Sequence, residues 1–412
     1  MNDRRRGPSP LSYRDFALLW AGFFVSQVGS QMQIVAVSWQ AWRLSGDPLA
    51  LGGLGLARVL PVVVFGLAGG VVADVVDRRR VLLVSTAVMM ASSFGLFLLC
   101  RADRVTLPAL YVFSFVSGAA VAVANPARQA MIPSLVPEDV LPRALGLGVT
   151  SWQLATVLGP SLGGLVLAGS GPALVYLLDA ISFLAIIAAL LAIRSRGAAA
   201  PESAGGIESL LEGFRFLRRT PILLSLMLAD FFGTFFAGAM LLMPIFADGV
   251  LGVGPEGLGL LFAAPAVGSA AVAFAISLRG APPLTGATVL SSIAVYGLAI
   301  AGFGAVRSFP AALALLALAG AADGVSTVVR QTLRQVLTPD ELRGRMTGVS
   351  MIFFMGGPQL GELEAGWLGR LVGVQASVVA GGLACAASAA AFAVLAPGLR
   401  RFRHPGAGRG GI

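Results

Sequence analysis

Six acidic or basic side chains lie well inside long apolar stretches of this sequence, where a group can bind a proton or hold a charge. They are Arg58, Asp179, Asp230, Asp323, Glu362 and Glu364. An ionised group in such surroundings is costly unless it faces a cavity or an opposite charge. A carboxylate whose proton competes with a bound solute is what proton-coupled binding requires. We predict that role first for Asp230, then for Glu362 and Asp323.

Arg58 is the single arginine in these stretches. It is predicted either to serve as a counter-ion or to attract an anionic ligand. The structural alternative for each carboxylate is an ion pair, for example between Asp230 and Arg58, or a side chain that reaches the aqueous boundary.

Amides and aromatics supply further cavity candidates. Gln27 and Gln31 are four residues apart, so a helix places them on one face. Amides within a membrane helix face the bundle interior or bond across helices. The other predicted lining residues are Trp152, Gln153, Phe231, Thr234, Phe235, Phe354 and Gln359. For each aromatic residue, the alternative is simple packing or contact with lipid.

Composition excludes most enzyme chemistry. The 412 residues are 57% hydrophobic and 12% charged, whereas soluble domains carry about 25% charged residues. All basic residues are arginine, so no phosphate-binding loop with lysine and no Schiff base can form. The single histidine, His404, lies near the C-terminus, and Cys100 and Cys385 are far apart. We therefore expect no enzyme activity, no cofactor and no metal.

Apolar runs separated by Arg, Pro and Gly clusters predict an all-α polytopic membrane protein with twelve transmembrane helices. The predicted spans are 16–42, 49–73, 81–100, 106–126, 145–168, 173–193, 221–246, 256–278, 284–304, 309–329, 346–369 and 374–396. This divides the chain into an N-terminal six-helix half (1–193), a linker (194–220) and a C-terminal half with a short tail (221–412). The end of the linker has helical periodicity and predicts a short interfacial helix.

The arginines predict the orientation. If both termini lie on one side, that side carries 23 arginines and the other carries 5. The positive-inside rule then places both termini and the linker in the cytoplasm, with the chain in the cytoplasmic or inner membrane. This distribution explains the net charge of +9 without a nucleic-acid partner. The apolar stretch after Arg4 to Arg6 is too long for a signal peptide and predicts the first span.

An internal repeat supports two equivalent halves. Arg128-Gln129 recurs 202 residues later as Arg330-Gln331, in the region that follows the fourth span of each half. At the same offset Pro137 matches Pro339, Arg143 matches Arg345, and Gly159 matches Gly361. Parallel repeats of six helices are typical of one class of secondary transporter.

Two segments carry residues suited to movement of helices. The loop after the second span contains Gly70, Asp74, Arg78 and Arg79, and an anion at a helix C-terminus needs a positive partner. The fifth span contains Gly159, Pro160, Gly163 and Gly164. Small residues permit close helix contact, and the proline removes a backbone donor and bends the helix. We predict that these residues gate the protein; the alternative is ordinary topology signalling and packing.

These segments resemble motifs of the major facilitator superfamily. Gly70, Asp74, Arg78 and Arg79 fit its loop motif, although Val75 and Asp77 stand where the family has Arg and Gly. The run from Ala155 to Gly164 resembles the helix-five motif of its antiporter branch. Gly213 to Arg218 and Arg330 to Arg345 resemble a subgroup of siderophore, macrolide and multidrug exporters.

The resemblance implies a monomeric secondary exporter that exchanges a small amphipathic molecule for protons by alternating access. The alternatives are a facilitator or importer of the same fold without proton coupling, and a membrane receptor or scaffold that transports nothing. An intramembrane hydrolase is disfavoured, because no span contains a histidine or a recognisable metal-ligand set.

Overall fold

The structure, a computed structural model, describes residues 8–75, 77–194 and 207–403 and is helical along most of this length. The helices are α1 Arg14–Ser45, α2 Pro48–Val75, α3 Arg78–Arg101, α4 Leu107–Met131, α5 Leu141–Ala192, α6 Ile207–Arg219, α7 Pro221–Phe236, α8 Met243–Ile245, α9 Gly254–Arg279, α10 Gly286–Ala305, α11 Phe309–Leu337, α12 Arg343–Val372, α13 Val374–Leu395 and α14 Pro397–Arg401. Eleven of the predicted spans fall on these helices. The span predicted over 221–246 is interrupted, because α7 ends at Phe236 and short helical segments continue to Val250.

Among the described residues, eight segments are long and apolar enough to cross a bilayer. One of them, α5, contains two spans, because Gly171 leaves the helical region with φ 76° and ψ 177° and Pro172 starts the next segment. Together with α1, α2 and α12 this gives twelve spans, so the predicted all-α fold is confirmed. The linker helix predicted near 207–220 is α6.

Local sequence explains where several helices begin and end. Thr106 accepts a hydrogen bond from the Ala109 amide at the start of α4, and Asp77 does the same for Arg80 at the start of α3. Gly280 and Gly373 follow α9 and α12 with positive φ, a backbone conformation that glycine adopts without a steric penalty.

The chain divides into two compact units. The first comprises Met1–Leu44 and Ala57–Gly206, and the second comprises Ser45–Leu56 and Ile207–Ile412. In the first unit, α3 packs against α4 and α5. Its apolar core includes Leu82, Met131 and Leu190, all fully buried.

The second unit is built from α6 to α14 together with the start of α2. In it α10 packs against α11 and α13, while α7 packs against α12 and α13. Glycines bring these helices close, as where Gly297 lies against the backbone of Gly382. Within a bilayer such packing replaces the hydrophobic effect as the force that holds helices together.

Candidate functional site

A buried charge cluster lies in the second unit, between α7 and α11. Arg330 forms an ion pair with Asp230, and their side chains are only 14% and 8% exposed. A second carboxylate, Asp323, lies at the edge of the cluster, 3.7 Å from the same guanidinium and with 49% of its side chain exposed. Arg330 also donates to Thr327 Oγ1 at 3.0 Å. One arginine therefore holds two of the three carboxylates predicted to bind protons.

The helical repeat of α11 explains this arrangement. Asp323, Thr327 and Arg330 follow one another at spacings of four and three residues, so they share one helix face. That face meets Asp230, which is buried on α7. Because the three side chains converge on one guanidinium, a proton added to either carboxylate changes the charge balance of the whole cluster.

A cavity of about 200 Å³ adjoins the cluster. Its lining mixes polar and apolar side chains: Leu223, Leu226, Met227, Asp230, Thr327, Arg330, Gln331, Arg334, Thr347, Ser350, Met351, Phe353 and Phe354. Arg334 donates to Ser350 Oγ and, at 2.7 Å, to Gln331 Oε1. We call this space the Arg330 pocket. Its lining suits a ligand with both apolar and polar parts.

Four predicted lining residues lie near this pocket. Phe354 lines it, and Thr234 lines a smaller neighbouring space that also reaches Asp230 and Asp323. Phe231 stacks on Phe235 with ring centroids 6.2 Å apart and meets Phe353 edge-on. Phe231 therefore packs against Phe353, which lines the cavity, and neither Phe231 nor Phe235 lines it directly.

Glu362 and Gln359 lie apart from this cluster, on the face of α12 that packs against the start of α2. With its amide oriented to satisfy both partners, Gln359 donates to the Gly55 carbonyl at 3.0 Å and to Glu362 Oε2 at 3.3 Å. A Cβ at Gly52 would lie 2.9 Å from the Glu362 carbonyl oxygen. The third predicted proton carboxylate thus belongs to a close helix contact between α2 and α12.

In the first unit, two of the predicted lining residues meet around Arg128. Gln27 and Trp152 line a cavity of about 60 Å³, which we call the Arg128 pocket. Gln31 is buried where α1 meets α5 at Gly159. Gln153 and Arg58 are absent from the lining of the cavities described here.

The predicted gating residues occupy helix ends and helix contacts. Arg78 donates to the Ala130 carbonyl at 3.0 Å, and Arg79 donates to the Leu191 carbonyl at 2.9 Å. Each guanidinium therefore satisfies a carbonyl in the last turn of a helix, where a cation is favoured. Gly70 and Asp74 lie in a stretch of α2 whose side-chain contacts are outside the described part of the structure.

The helix-five motif packs against α1. A Cβ at Gly159 would lie 2.8 Å from the Val28 carbonyl oxygen, and one at Gly163 would lie 2.9 Å from the Met32 Cα. Pro160 and Gly164 are also buried. The repeat-related Gly361 lies in the same kind of contact, against Phe235 of α7. Their part in gating stays a prediction.

Asp179 is the most completely enclosed carboxylate, with 0% of the residue exposed. It accepts hydrogen bonds from Ser93 Oγ at 2.5 Å and Ser30 Oγ at 3.3 Å. Within the described ranges no cation lies within ion-pair distance of it. Its hydroxyl partners lie on α1 and α3, far from it in sequence.

Sequence reasoning did not assign Arg330, Arg334 or Ser350 to a site. A signal was present for Arg330, because it recurs in the internal repeat and lies only seven residues after Asp323. Nothing in the sequence links Arg334 to Ser350, because that contact depends on how α11 packs against α12.

Comparisons with known proteins support this picture. A family model described as transmembrane secretion effector matches residues 6–403. The multidrug efflux pump Tap of Mycolicibacterium fortuitum is 28% identical over 92% of this chain and 93% of its own length. The enterobactin exporter EntS of Shigella boydii serotype 18 is 27% identical over 92% and 89%.

Solved structures match the fold. A bacterial homologue of the human lysosomal transporter Spinster, inward-facing and unoccupied, gives a TM-score of 0.78 at 16% identity and covers 97% of this chain. All of that chain is matched. A bacterial homologue of the iron transporter ferroportin gives a TM-score of 0.69 at 16% identity, over 94% of this chain and 99% of its own.

Proposed function

We propose that this chain, which belongs to the transmembrane secretion effector family of the major facilitator superfamily, exports a small amphipathic molecule in exchange for protons. It is a multi-pass membrane transporter of the exporter type and not an enzyme. Exchange for protons, a monomeric state and cytoplasmic termini are parts of the proposal. Drug-like compounds and siderophores are the candidate substrates, since the related proteins are named for them.

The observation that carries proton exchange is the pairing of Arg330 with both Asp230 and Asp323 beside a cavity. Buried ion pairs are held in balance between desolvation and attraction, so a small change in surroundings shifts which charges are present. Protonation of Asp230 would leave Arg330 with one carboxylate less. The guanidinium is then stabilised best by a different arrangement of the surrounding polar groups. The two conformations therefore differ in free energy depending on whether Asp230 is protonated, and such a difference is what a conformational shift requires.

Alternating access exposes the cluster to one side of the membrane at a time, so protons can be moved in one direction. A carboxylate protonated from the acidic side and deprotonated on the other side links each cycle to one proton movement. Substrate in the Arg330 pocket lies beside the same side chains, so its binding and protonation compete. Export results when substrate enters from the cytoplasm and protons enter from outside.

The test uses everted membrane vesicles with an acidic lumen and a panel of siderophores, macrolides and cationic dyes. Lumenal pH is followed for the wild type, Asp230→Asn and Asp139→Asn, a matched control because Asp139 is exposed between α4 and α5. We expect substrate-dependent proton efflux in the wild type and the control, and its loss in Asp230→Asn. Efflux that survives in Asp230→Asn would remove Asp230 from the coupling path.

A facilitator of the same fold is the second candidate. It predicts that labelled solute crosses the membrane while no compound moves protons. That result in the same vesicles would replace the antiport proposal and leave the transporter assignment intact.

A further inference from the structure

The Arg128 pocket and the Arg330 pocket are built at equivalent positions of the internal repeat. At the offset of 202 residues, Arg128 corresponds to Arg330, Ser151 to Phe353, and Trp152 to Phe354, and all six line their pockets. Each pocket lies within one unit of the chain. The two halves therefore contain the same type of cavity, and its charge can be compared between them.

The charges differ. In the second unit Arg330 is balanced by Asp230 and Asp323. In the first unit Arg128 is the single ionisable side chain among the described residues that line the cavity. Its side-chain contacts there are a 3.3 Å hydrogen bond to Asn125 Oδ1 and the face of the Phe23 ring. The arginine of the Arg128 pocket thus faces no carboxylate among the residues that line it, whereas Arg330 is paired with two. Arg334, which also lines the Arg330 pocket, is bonded to Ser350 and Gln331.

The surroundings of Arg128 leave most of its donors available. A guanidinium has five N–H donors in one plane, and one of them is used by Asn125. The Phe23 ring centroid lies 5.2 Å from the guanidinium carbon, which holds the group by a cation–π contact. A half-buried cation with open donors is stabilised by an anion that accepts two parallel hydrogen bonds, as a carboxylate does.

Aromatic rings form much of the remaining wall. Trp20 stacks on Phe24 at 5.9 Å, and its indole N–H is already bonded to the Leu147 carbonyl at 3.2 Å. These rings therefore offer flat apolar faces rather than donors. The cavity of about 60 Å³ holds several waters, so it suits one functional group of a ligand rather than a whole drug-like molecule.

We propose that the Arg128 pocket binds a carboxylate attached to an aromatic ring, and so selects organic anions as substrates. This inference rests on the proposed export function. It assigns to the first unit a part in substrate recognition, whereas the charge cluster in the second unit carries the proton exchange. Aromatic anions would then bind more tightly than neutral compounds of the same shape.

The probe is 4-nitrobenzoate, compared with 4-nitrobenzamide, which has nearly the same shape and no charge. The purified full-length chain carries Trp39→Phe, Trp42→Phe and Trp367→Phe, so that only the pocket residues Trp20 and Trp152 fluoresce. Binding is read as quenching at constant ionic strength. We expect the acid to bind at least tenfold more tightly than the amide. Equal binding of the two compounds would overturn the proposal without any arginine variant.

Variants of arginine residues then test whether Arg128 is the cation that binds the carboxylate. Arg128→Gln should weaken 4-nitrobenzoate binding about tenfold and leave the amide unchanged, and Arg128→Lys should lie between. Arg104→Gln removes the same charge from an exposed loop and should bind like the parent. Unchanged acid binding in a folded Arg128→Gln protein would refute the assignment. The binding assay does not depend on transport. If 4-nitrobenzoate binding depends on Arg128 but the protein exports none of the compounds, the export function is wrong and the assignment of the Arg128 pocket is retained.

Discussion

Arg330 is the residue on which the second unit's charge cluster depends. It contacts both Asp230 and Asp323, and its side chain is 14% exposed. A buried ion pair adds little net stability, because desolvation offsets the attraction. Removing one partner, however, leaves an uncompensated charge in poorly hydrated surroundings. The stability of the cluster and its capacity to exchange protons therefore have the same physical origin.

Single substitutions in this cluster should destabilise the protein, and a combined substitution should restore it. Arg330→Gln removes the cation that two carboxylates share, so we expect a loss of about 3–5 kcal/mol. Asp230→Asn leaves Arg330 with Asp323 and should cost less. In Asp230→Asn/Arg330→Gln both charges are gone, so the thermal midpoint in detergent should rise again towards the wild type.

Asp179→Asn is the matched control for this series. Asp179 accepts from Ser30 on one carboxylate oxygen and from Ser93 on the other. An asparagine of the same shape keeps one acceptor, and its NH2 group can donate to the second hydroxyl. We expect its free energy of unfolding to stay within about 1 kcal/mol of the wild type. If the double variant were no more stable than Arg330→Gln, the two charges would not compensate each other and this account of the cluster would fail.

At the scale of whole helices, equivalent close contacts join the helices in each half. In the first unit α5 lies against α1 at Gly159 and Gly163, and in the second unit α12 lies against α7 at Gly357 and Gly361. A Cβ at each of these glycines would meet backbone atoms of the partner helix within 3.5 Å, together with Gln31 Cβ at Gly159 and Thr234 Oγ1 at Gly357. Such a contact has little room to adjust, so it fixes the distance between two helices.

Gly159→Val should therefore disrupt the α1–α5 contact. The new side chain would meet the Val28 carbonyl oxygen and the Gln31 backbone, and overpacking of this kind costs about 1–3 kcal/mol. We expect lower thermal stability and loss of substrate efflux from vesicles. Gly146→Val, on the same helix with no atom within 4 Å of the added Cβ, should retain both. Equal behaviour of the two variants would show that the contact is unimportant.

The twelve helices were predictable because each is marked by its own apolar run and by nearby Pro, Gly or Arg. The tertiary contacts were not. Asp230 could be recognised as costly to bury, but its partner Arg330 lies 100 residues away and is selected by packing of α7 on α11. Sequence reasoning offered Arg58 as an example of such a partner. Likewise Glu362 was grouped with Asp230, whereas the fold places it against the start of α2.

At the scale of the whole molecule, the distribution of arginines predicts the orientation in the membrane. The termini and loops on one side carry 23 arginines and the loops on the other side carry 5, and only the first set is expected to stay in the cytoplasm. The exposed residues Ala102 and Ser134 lie at opposite ends of α4, so they report on opposite sides. Cysteine at either position tests the orientation directly, once Cys100 and Cys385 are replaced by alanine.

Ala102→Cys should react with a membrane-impermeant maleimide in intact cells, and Ser134→Cys only in everted vesicles. The physical reason is that moving the arginine-rich loops across the bilayer against the membrane potential is unfavourable. Permeabilised membranes, in which both cysteines should react, control for their accessibility. The reverse pattern would place the arginine-rich side outside. The Arg128 pocket, whose lining includes Phe16 and Ile132 near that side, would then face the exterior rather than the compartment from which an exporter takes its substrate.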